Sequence, residues 1–413
     1  MNRVKYLILG AGPAGLTLAN RLKQEGESSF LVLEEKSEAG GLCRSAEVDG
    51  KMLDTGGGHF LDIRRPEVNK FLFEFLPEEE WNRFERISKI DLGEHVIDYP
   101  FESSIWQLPE DEQIEHLKAI AKAGCNIGVP KPESFVEWIP WKLGEKIAKD
   151  YMLPYNRKMW SMNLNELGTY WLEKLPDVSF EETLKSCLRK QRIFGSLPGH
   201  AAFYYPKEYG YGKLWLNMAS AIKDNIEYNV KAEEIDMRER TVNGQYKADI
   251  IINTAPWVSF SNIQGVDEKF HDAVRRLKYT SVVIKYFDET VDTDAHWMYF
   301  PDEKKEYHRI LYRSNFCKGS KGYWTETNLK RADLNDGHTY FKNKYAYPVN
   351  TIDKREAIAY ILDEAANRKV FGLGRWGEWE HYNSDVTVSL AMGFADRILG
   401  KGNVKGKKAN GKG

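Results

Sequence analysis

The stretch that most constrains this chain runs from Val4 to Leu42, VKYLILGAGPAGLTLANRLKQEGESSFLVLEEKSEAGGL. Tyr6-Leu7-Ile8-Leu9 is a short apolar run, the pattern of a strand buried on both faces of a parallel sheet. It enters Gly10-Ala11-Gly12-Pro13-Ala14-Gly15 directly. Leu16, Leu18, Ala19 and Leu22 then form the apolar face of a helix that ends near Gly26. A second apolar run, Phe30-Leu31-Val32-Leu33, ends on Glu34. Strand, glycine turn, helix, strand and acid make a complete βαβ dinucleotide unit. Gly10 makes the tight turn, Gly12 lets backbone approach a pyrophosphate, and Gly15 lets the helix pack on the strand. The helix N-terminus offers unpaired N–H groups and the positive end of its dipole to that pyrophosphate. Glu34, about 20 residues on, is placed to accept from ribose hydroxyls.

The residues that follow discriminate between dinucleotides. Gly40-Gly41-Leu42-Cys43-Arg44-Ser45 comes close behind the acid, and Leu53-Asp54-Thr55-Gly56-Gly57-Gly58-His59-Phe60 a little later. Glycine-rich backbone can lie against a long extended cofactor without Cβ clashes, and a nicotinamide dehydrogenase needs no such second cluster. This succession resembles the FAD-binding signature of the amine oxidase and UDP-galactopyranose mutase superfamily.

At 413 residues the chain has room for two or three domains, and its 42% hydrophobic content supports a substantial core. The net charge of -2 does not point to nucleic acid. The 12 Trp and 22 Tyr suit a protein that stacks on a polar ligand, though large cores also use them. Cys43, Cys125, Cys187 and Cys317 are scattered with no Cys-x-x-Cys pair, so no metal site and no disulfide framework is indicated. A reduced, cytoplasmic setting is expected. The first apolar run is read as a strand rather than a signal peptide, and no apolar stretch is long enough for a membrane span. The Lys/Gly-rich residues 400–413 read as a disordered tail.

Further along, Val68, Phe71, Leu72 and Phe75 predict a helix over 65–83, and 86–99 alternates about Gly93-Glu94 as a hairpin. Residues 103–195 read as a helical insertion, with a capping box at Ser134–Glu137. Ala248 to Asn253, stopped by Pro256, reads as a further buried parallel strand, and 277–350 as an antiparallel sheet. Helices are expected at Lys354 to Ala366 and about Val386 to Leu399. The expected fold is α/β. A Rossmann-type cofactor domain is built from 1–64, 211–262 and 365–399. A helical domain takes 103–195, and an antiparallel sheet domain takes 84–102, 198–210 and 265–352.

Gly374-Arg375-Trp376-Gly377-Glu378-Trp379-Glu380-His381-Tyr382-Asn383-Ser384-Asp385-Val386 resembles the closing motif of UDP-galactopyranose mutases. So do Tyr99-Pro100-Phe101, Tyr155 to Trp160, Trp297 to Pro301 leading to Tyr307-His308-Arg309, and Tyr347-Pro348-Val349-Asn350. The similarity runs in order from about residue 4 to 399. It implies an FAD enzyme that interconverts the pyranose and furanose forms of a nucleotide sugar without net redox change, UDP-galactose first among them, for cell-surface glycan synthesis. The flavin is active when reduced, its N5 acting as nucleophile at the anomeric carbon. NADPH or another reductant is implied for activation, and a homo-oligomer is compatible with the family.

By the same resemblance, cofactor contacts fall on Gly10, Gly12, Pro13, Ala14, Gly15, Glu34, Glu35, Gly41, Leu42, His59, Val230, Gly374, Arg375, Asp385 and Val386. Catalytic roles fall on His59, Arg309 and Arg375. His59 matches a histidine near the isoalloxazine, in a loop whose three glycines are one more than the family pattern. Arg309 and Tyr347 match diphosphate-binding residues. His381 stands where the family carries another such tyrosine, with Tyr382 beside it. Tyr155, Trp160 and Trp171 match aromatics that pack on uridine, although aromatics of helical regions more often fill cores. For the second diphosphate arginine the sequence offers Arg157, Arg189 or Arg192. The competing readings are an FAD oxidase or desaturase of the amine oxidase/protoporphyrinogen oxidase type, and a flavoprotein-like scaffold without catalysis.

Overall fold

The computed structural model describes residues 2–124, 129–172, 178–193 and 200–401. Its largest sheet is the expected one. Asn2–Leu9 lies between Phe30–Glu34 and Tyr246–Asn253, with Ile226–Tyr228 outside the former and Val370–Gly372 against the latter, all parallel. Tyr6 sits opposite both Phe30 and Ile250, and Leu7 to Leu9 are buried, as a strand covered on two faces must be. One face is covered by Pro13–Gln24, Gly212–Ala221 and Ser384–Ile398, whose Leu16, Leu22, Met218 and Ala391 join one apolar core. Glu268–Arg276 and Lys354–Ala366 cover the other through Phe270, Ala273, Ile358 and Ile361.

A second sheet runs in the order Tyr340–Pro348, Tyr279–Phe287, Tyr323–Asn328, Arg309–Leu311, Trp297–Tyr299, Ser88–Asp91, Val96–Asp98. It is antiparallel except where Trp297–Tyr299 meets Ser88–Asp91. Between 103 and 193 the described chain is helical, with Glu110–Gly124, Phe135–Leu143, Leu153–Trp160 and Phe180–Arg189 around a core of Phe101, Phe135, Ile139 and Trp160. The fold is therefore the α/β architecture expected: a Rossmann-type sheet, a helical insertion and an antiparallel sheet.

Three local expectations are corrected. The helix over 65–83 is only Pro66–Phe73; Pro77 interrupts it, and Trp81–Glu85 is a strand that pairs with Ala202–Pro206. Ser134 does precede a helix, but its hydroxyl makes no capping bond; the true capping box is Ser179 with Glu182. Tyr340–Pro348 is a nine-residue strand, where only the end of a sheet was expected. The residues of the expected tail from 402 onward lie outside the described residues, as does Cys125; Cys43, Cys187 and Cys317 are free thiols. No described helix is long and apolar enough to cross a membrane.

Candidate functional site

The two glycine clusters face each other. A Cβ on Gly12 would meet only the Gly41 Cα, at 3.9 Å, and a Cβ on Gly41 would come within 3.2 Å of the Gly12 Cα. Gly12 is also the N-cap of the dinucleotide helix, with Pro13 behind it and no side chain capping the first turn. The result is a strip walled by backbone and headed by free helix N–H groups, which fits a pyrophosphate. Glu34 stands at its edge, 6% exposed. One of its oxygens accepts from the Ala11 N–H at 2.8 Å, the other from the Lys36 N–H at 3.0 Å. Burial raises its pKa. The Val230 N–H donates to the Glu34 carbonyl at 2.9 Å, whereas the Glu35 side chain is exposed. Gly374 packs against Ala14, and the Leu42 carbonyl against Gly56, so the C-terminal motif and the later glycine cluster both close on this strip.

Asp54 secures that closure. It is fully buried and accepts from the Ser45 hydroxyl at 2.6 Å, the Tyr211 N–H at 3.0 Å and the Tyr205 hydroxyl at 3.1 Å. Burial pushes its carboxyl from 3.8 up to about 7. The native state thus holds a proton that the unfolded chain releases, and stability falls as pH rises from about 4 to about 7. Asp54→Asn keeps acceptors for Ser45 and Tyr211 and removes this dependence. In thermal melts it should be the more stable protein near pH 8 and close to wild type near pH 4 (a difference of at most ~4 kcal/mol).

His59 ends the glycine loop. Its Nδ1 lies 3.0 Å from the Gly57 carbonyl and so carries the proton, leaving Nε2 as an acceptor. Burial first, then the nearby Arg375 charge, pulls its pKa down to about 3, so the ring is neutral at physiological pH. It lines a cavity of about 150 Å³ together with Gly58, Arg86, Arg309, Tyr347 and Arg375. Asn383 and Ser384, the N-cap and first residue of the last long helix, line it too, which brings that helix's positive end to the cavity.

Arg375 is held by backbone carbonyls. Its Nε and Nη2 donate to the Tyr382 carbonyl at 3.0 and 2.7 Å, and Nη1 to the Ala346 carbonyl at 3.1 Å. Burial lowers its pKa from an already very high value, so it stays charged. Arg309 projects from the second sheet. Its Nε lies 2.7 Å from the Glu326 carboxylate, which Nη2 also contacts. The Tyr347 ring lies 4.8 Å from the His381 ring and under the Arg375 guanidinium at 5.7 Å.

Tyr299, Arg309, His381 and Asn383 are shared with a second cavity of about 670 Å³, so the two adjoin at these side chains. The helical insertion walls its outer part with Trp138, Trp141, Tyr155, Trp160 and Trp171. Tyr155 stacks edge-on against Tyr299 and His308, and the Trp160 indole N–H donates to Asn156.

The structure thus gathers His59, Arg309, Tyr347, Arg375 and His381 at one cavity, and Tyr155, Trp160 and Trp171 at the next. Tyr382 is not among the residues that line either cavity; its carbonyl holds Arg375. Asp385 is buried one residue deeper than the cavity rim. One oxygen pairs with Arg65 at 2.5 Å, and the other is buried without a hydrogen-bond partner. Val386 lies half-buried in the same helical turn. Arg157, Arg189 and Arg192 line neither cavity; Arg157 is 3.6 Å from Glu303 and Arg192 3.8 Å from Asp98. Sequence reasoning missed Arg86, which lies between the Tyr99 and Trp297 rings with Nη2 3.3 Å from the Tyr299 hydroxyl. It also missed Glu326. The Arg86 signal was available, since the expected hairpin carries it beside Tyr99; a buried carboxylate paired across strands leaves no local pattern. Among the described residues no group of three or more His, Cys, Asp or Glu side chains could hold a metal.

A parallel sheet with a glycine cradle at its strand ends, a covering antiparallel sheet and a cationic cleft between them define a Rossmann-type dinucleotide-binding protein. Residues 8–75 match the NAD(P)-binding Rossmann-like domain family. Along its whole length the chain is similar to UDP-galactopyranose mutase of Mycoplasma pneumoniae, 22% identical over 411 residues, covering 96% of this chain and 97% of the relative. It is 25% identical over 180 residues to dTDP-fucopyranose mutase of Escherichia coli, covering 42% of this chain and 46% of the relative. Among solved structures, a reduced UDP-galactopyranose mutase superposes with a TM-score of 0.87 at 23% identity, covering 97% of this chain and 96% of that one. A protein described as a putative protoporphyrinogen oxidase from Exiguobacterium superposes at 0.71 and 13% identity, covering 97% and 99%. The resemblance to UDP-galactopyranose mutases read from the sequence is therefore borne out from end to end.

Proposed function

We propose that this chain is a flavin-dependent mutase that interconverts the pyranose and furanose forms of a nucleotide sugar, UDP-galactose being the first candidate. One observation carries the reading. Arg309 and Arg375, with Tyr347 and His381, meet in a cavity that is lined by Gly56 and Gly58 of the later glycine cluster and adjoins an aromatic cavity of about 670 Å³. An amine or polyene substrate needs no such cationic clamp, whereas a diphosphate leaving group does.

In this reading the strip between Gly12 and Gly41 would hold FAD. Gly10, Pro13, Ala14 and Gly15 flank its pyrophosphate. Glu34 and Val230 meet its ribose end, with Glu35 and Leu42 at the margins. His59, Gly374, Arg375, Asp385 and Val386 would hold its ring end. Bound and reduced, FAD would supply the nucleophile at the anomeric carbon. The chain's own residues orient and neutralise. Arg375 and the positive helix end at Asn383 stabilise negative charge on the cofactor side. Neutral His59 offers Nε2 as an acceptor. Arg309, Tyr347 and His381 take the diphosphate, and Tyr155 and Trp160 wall the base end. The segments 1–64, 211–262 and 365–399 form the cofactor domain, with the helical and sheet domains closing the cleft. NADPH or another reductant activates the enzyme, which works in the cytoplasm on cell-surface glycan precursors.

The purified protein should carry flavin absorbance, and titration with UDP should perturb it saturably. A colourless protein, or one that binds neither UDP nor any other nucleoside diphosphate, would contradict the proposal.

A further inference from the structure

We infer that Glu326 is a positioning residue that sets the spacing between the diphosphate-side cation and the cofactor-side glycine loop; this rests on the reading of the cleft as a nucleotide-sugar site. Glu326 is fully buried in the Tyr323–Asn328 strand, in register between Ile284 and Arg309. Its two oxygens serve different partners. Oε2 holds Arg309 through Nε at 2.7 Å and through Nη2, while Oε1 accepts from the Gly58 N–H at 2.9 Å. His308, buried on the same side, has its Nε2 3.9 Å from Oε2, and burial keeps that ring neutral.

The loop is built to admit this carboxylate. Gly57 has φ +105°, and a Cβ there would lie 2.7 Å from Oε1. Any side chain would therefore strain the backbone and displace the acceptor from Gly58.

Stability alone does not explain the pair. Burying a carboxylate and a guanidinium costs desolvation that their attraction barely offsets, and an apolar pair would serve a sheet as well. Position does explain it. By occupying Nε and Nη2, Glu326 fixes the plane of the guanidinium. Among the described residues Nη1 has no hydrogen-bond partner, and the side chain lines both cavities. The same carboxylate anchors the loop that ends in His59. One strand residue thus gives the substrate cation and the cofactor loop a common reference.

The test uses the FAD holoenzyme and UDP as probe, with Glu326→Gln, Glu326→Ala, Arg309→Ala and the Arg309→Ala/Glu326→Gln double variant. The glutamine is isosteric but has one oxygen and no charge, so it can serve Gly58 or Arg309 and not both. Glu326→Gln should weaken UDP binding about tenfold, the cost of misaligning a charge-assisted contact. The double variant should bind UDP no more weakly than Arg309→Ala alone, because Glu326 acts through Arg309. The loop arm is read without nucleotide: Glu326→Ala should shift the flavin absorption spectrum, and Glu326→Gln should shift it less. UDP affinity of Glu326→Gln within twofold of wild type, or strictly additive losses in the double variant, would overturn the proposal. If the wild-type protein binds no nucleoside diphosphate, the functional reading fails instead. An unchanged flavin spectrum in Glu326→Ala would then still overturn the positioning role. Should Glu326→Ala not fold, the isosteric Glu326→Gln decides by the same spectrum.

Discussion

Replacing Arg309 with alanine should raise the nucleotide-sugar KM and lower kcat together while FAD stays bound. Arg309 contacts Glu326 and the shared walls of both cavities, not the cradle between Gly12 and Gly41. Losing one charge-assisted donor to a departing diphosphate costs about 2–4 kcal/mol of transition-state stabilisation, roughly 30- to 1,000-fold in kcat/KM. The variant should also melt lower. It strands the Glu326 carboxylate, which is fully buried, and breaking a buried pair from one side costs about 3–5 kcal/mol. The double variant with Glu326→Gln should recover much of the stability and none of the rate. Arg309→Lys should not rescue activity, because a single ammonium cannot present the planar fork that meets Glu326 and the ligand at once. Steady-state kinetics beside thermal melts separate these effects. Unchanged kinetics in Arg309→Ala would remove the residue from the site.

The second large effect is at the other end of the cofactor strip. Gly12→Val should yield a folded protein without flavin. Gly12 has extended backbone, φ −82° and ψ −176°, so valine is conformationally tolerated there. What it cannot do is share the space. Its Cβ would point into the gap whose far wall is Gly41, filling the strip where backbone must meet a pyrophosphate. The dinucleotide helix and its packing through Leu16 and Leu22 are untouched. Far-ultraviolet circular dichroism should therefore match wild type while the visible flavin bands disappear. A yellow Gly12→Val protein would place the cofactor elsewhere.

Much of this architecture was legible in the sequence because its signals are local. Tyr6 to Leu9, the glycine turn, Leu16 to Leu22 and Phe30 to Glu34 each follow from a periodicity or a backbone requirement within a few residues. The same holds for Lys354–Ala366, whose observed bounds match the expected helix. The C-terminal half of the expected helix over 65–83 failed because apolar residues continue past Pro77, and Trp81 is drawn into a strand by Pro206, far away in the chain. Ser134 has the capping-box letters, yet no hydrogen bond from its hydroxyl follows. Tyr340–Pro348 is a strand through its pairing with Tyr279–Phe287, and its own alternation is masked by lysines on the exposed face.

The site divides the same way. Residues carried by motifs, His59, Arg309, Tyr347 and Arg375, do converge on one cavity. The residues that fix their geometry do not announce themselves. Glu326 reads as one more acid in a polar strand until Arg309 and Gly58 are brought to its two oxygens, 17 and 268 residues away in sequence. Tyr382, offered beside His381, contributes a backbone carbonyl, which no side-chain resemblance could indicate. The fold by itself does not settle the chemistry, since it superposes on a protein described as a putative protoporphyrinogen oxidase as well as on a UDP-galactopyranose mutase.

The most direct measurement of the proposed chemistry is anaerobic incubation of the purified holoenzyme with UDP-galactofuranose, with and without dithionite, followed by chromatographic separation of the sugar nucleotides. Conversion to UDP-galactopyranose only in the reduced sample is the expected result, since the flavin must donate an electron pair while the substrate's oxidation state stays unchanged. Absence of conversion of this and of other nucleotide sugars in the reduced sample, with flavin bleaching and peroxide formation on an amine or polyene instead, would contradict the mutase and establish an oxidase.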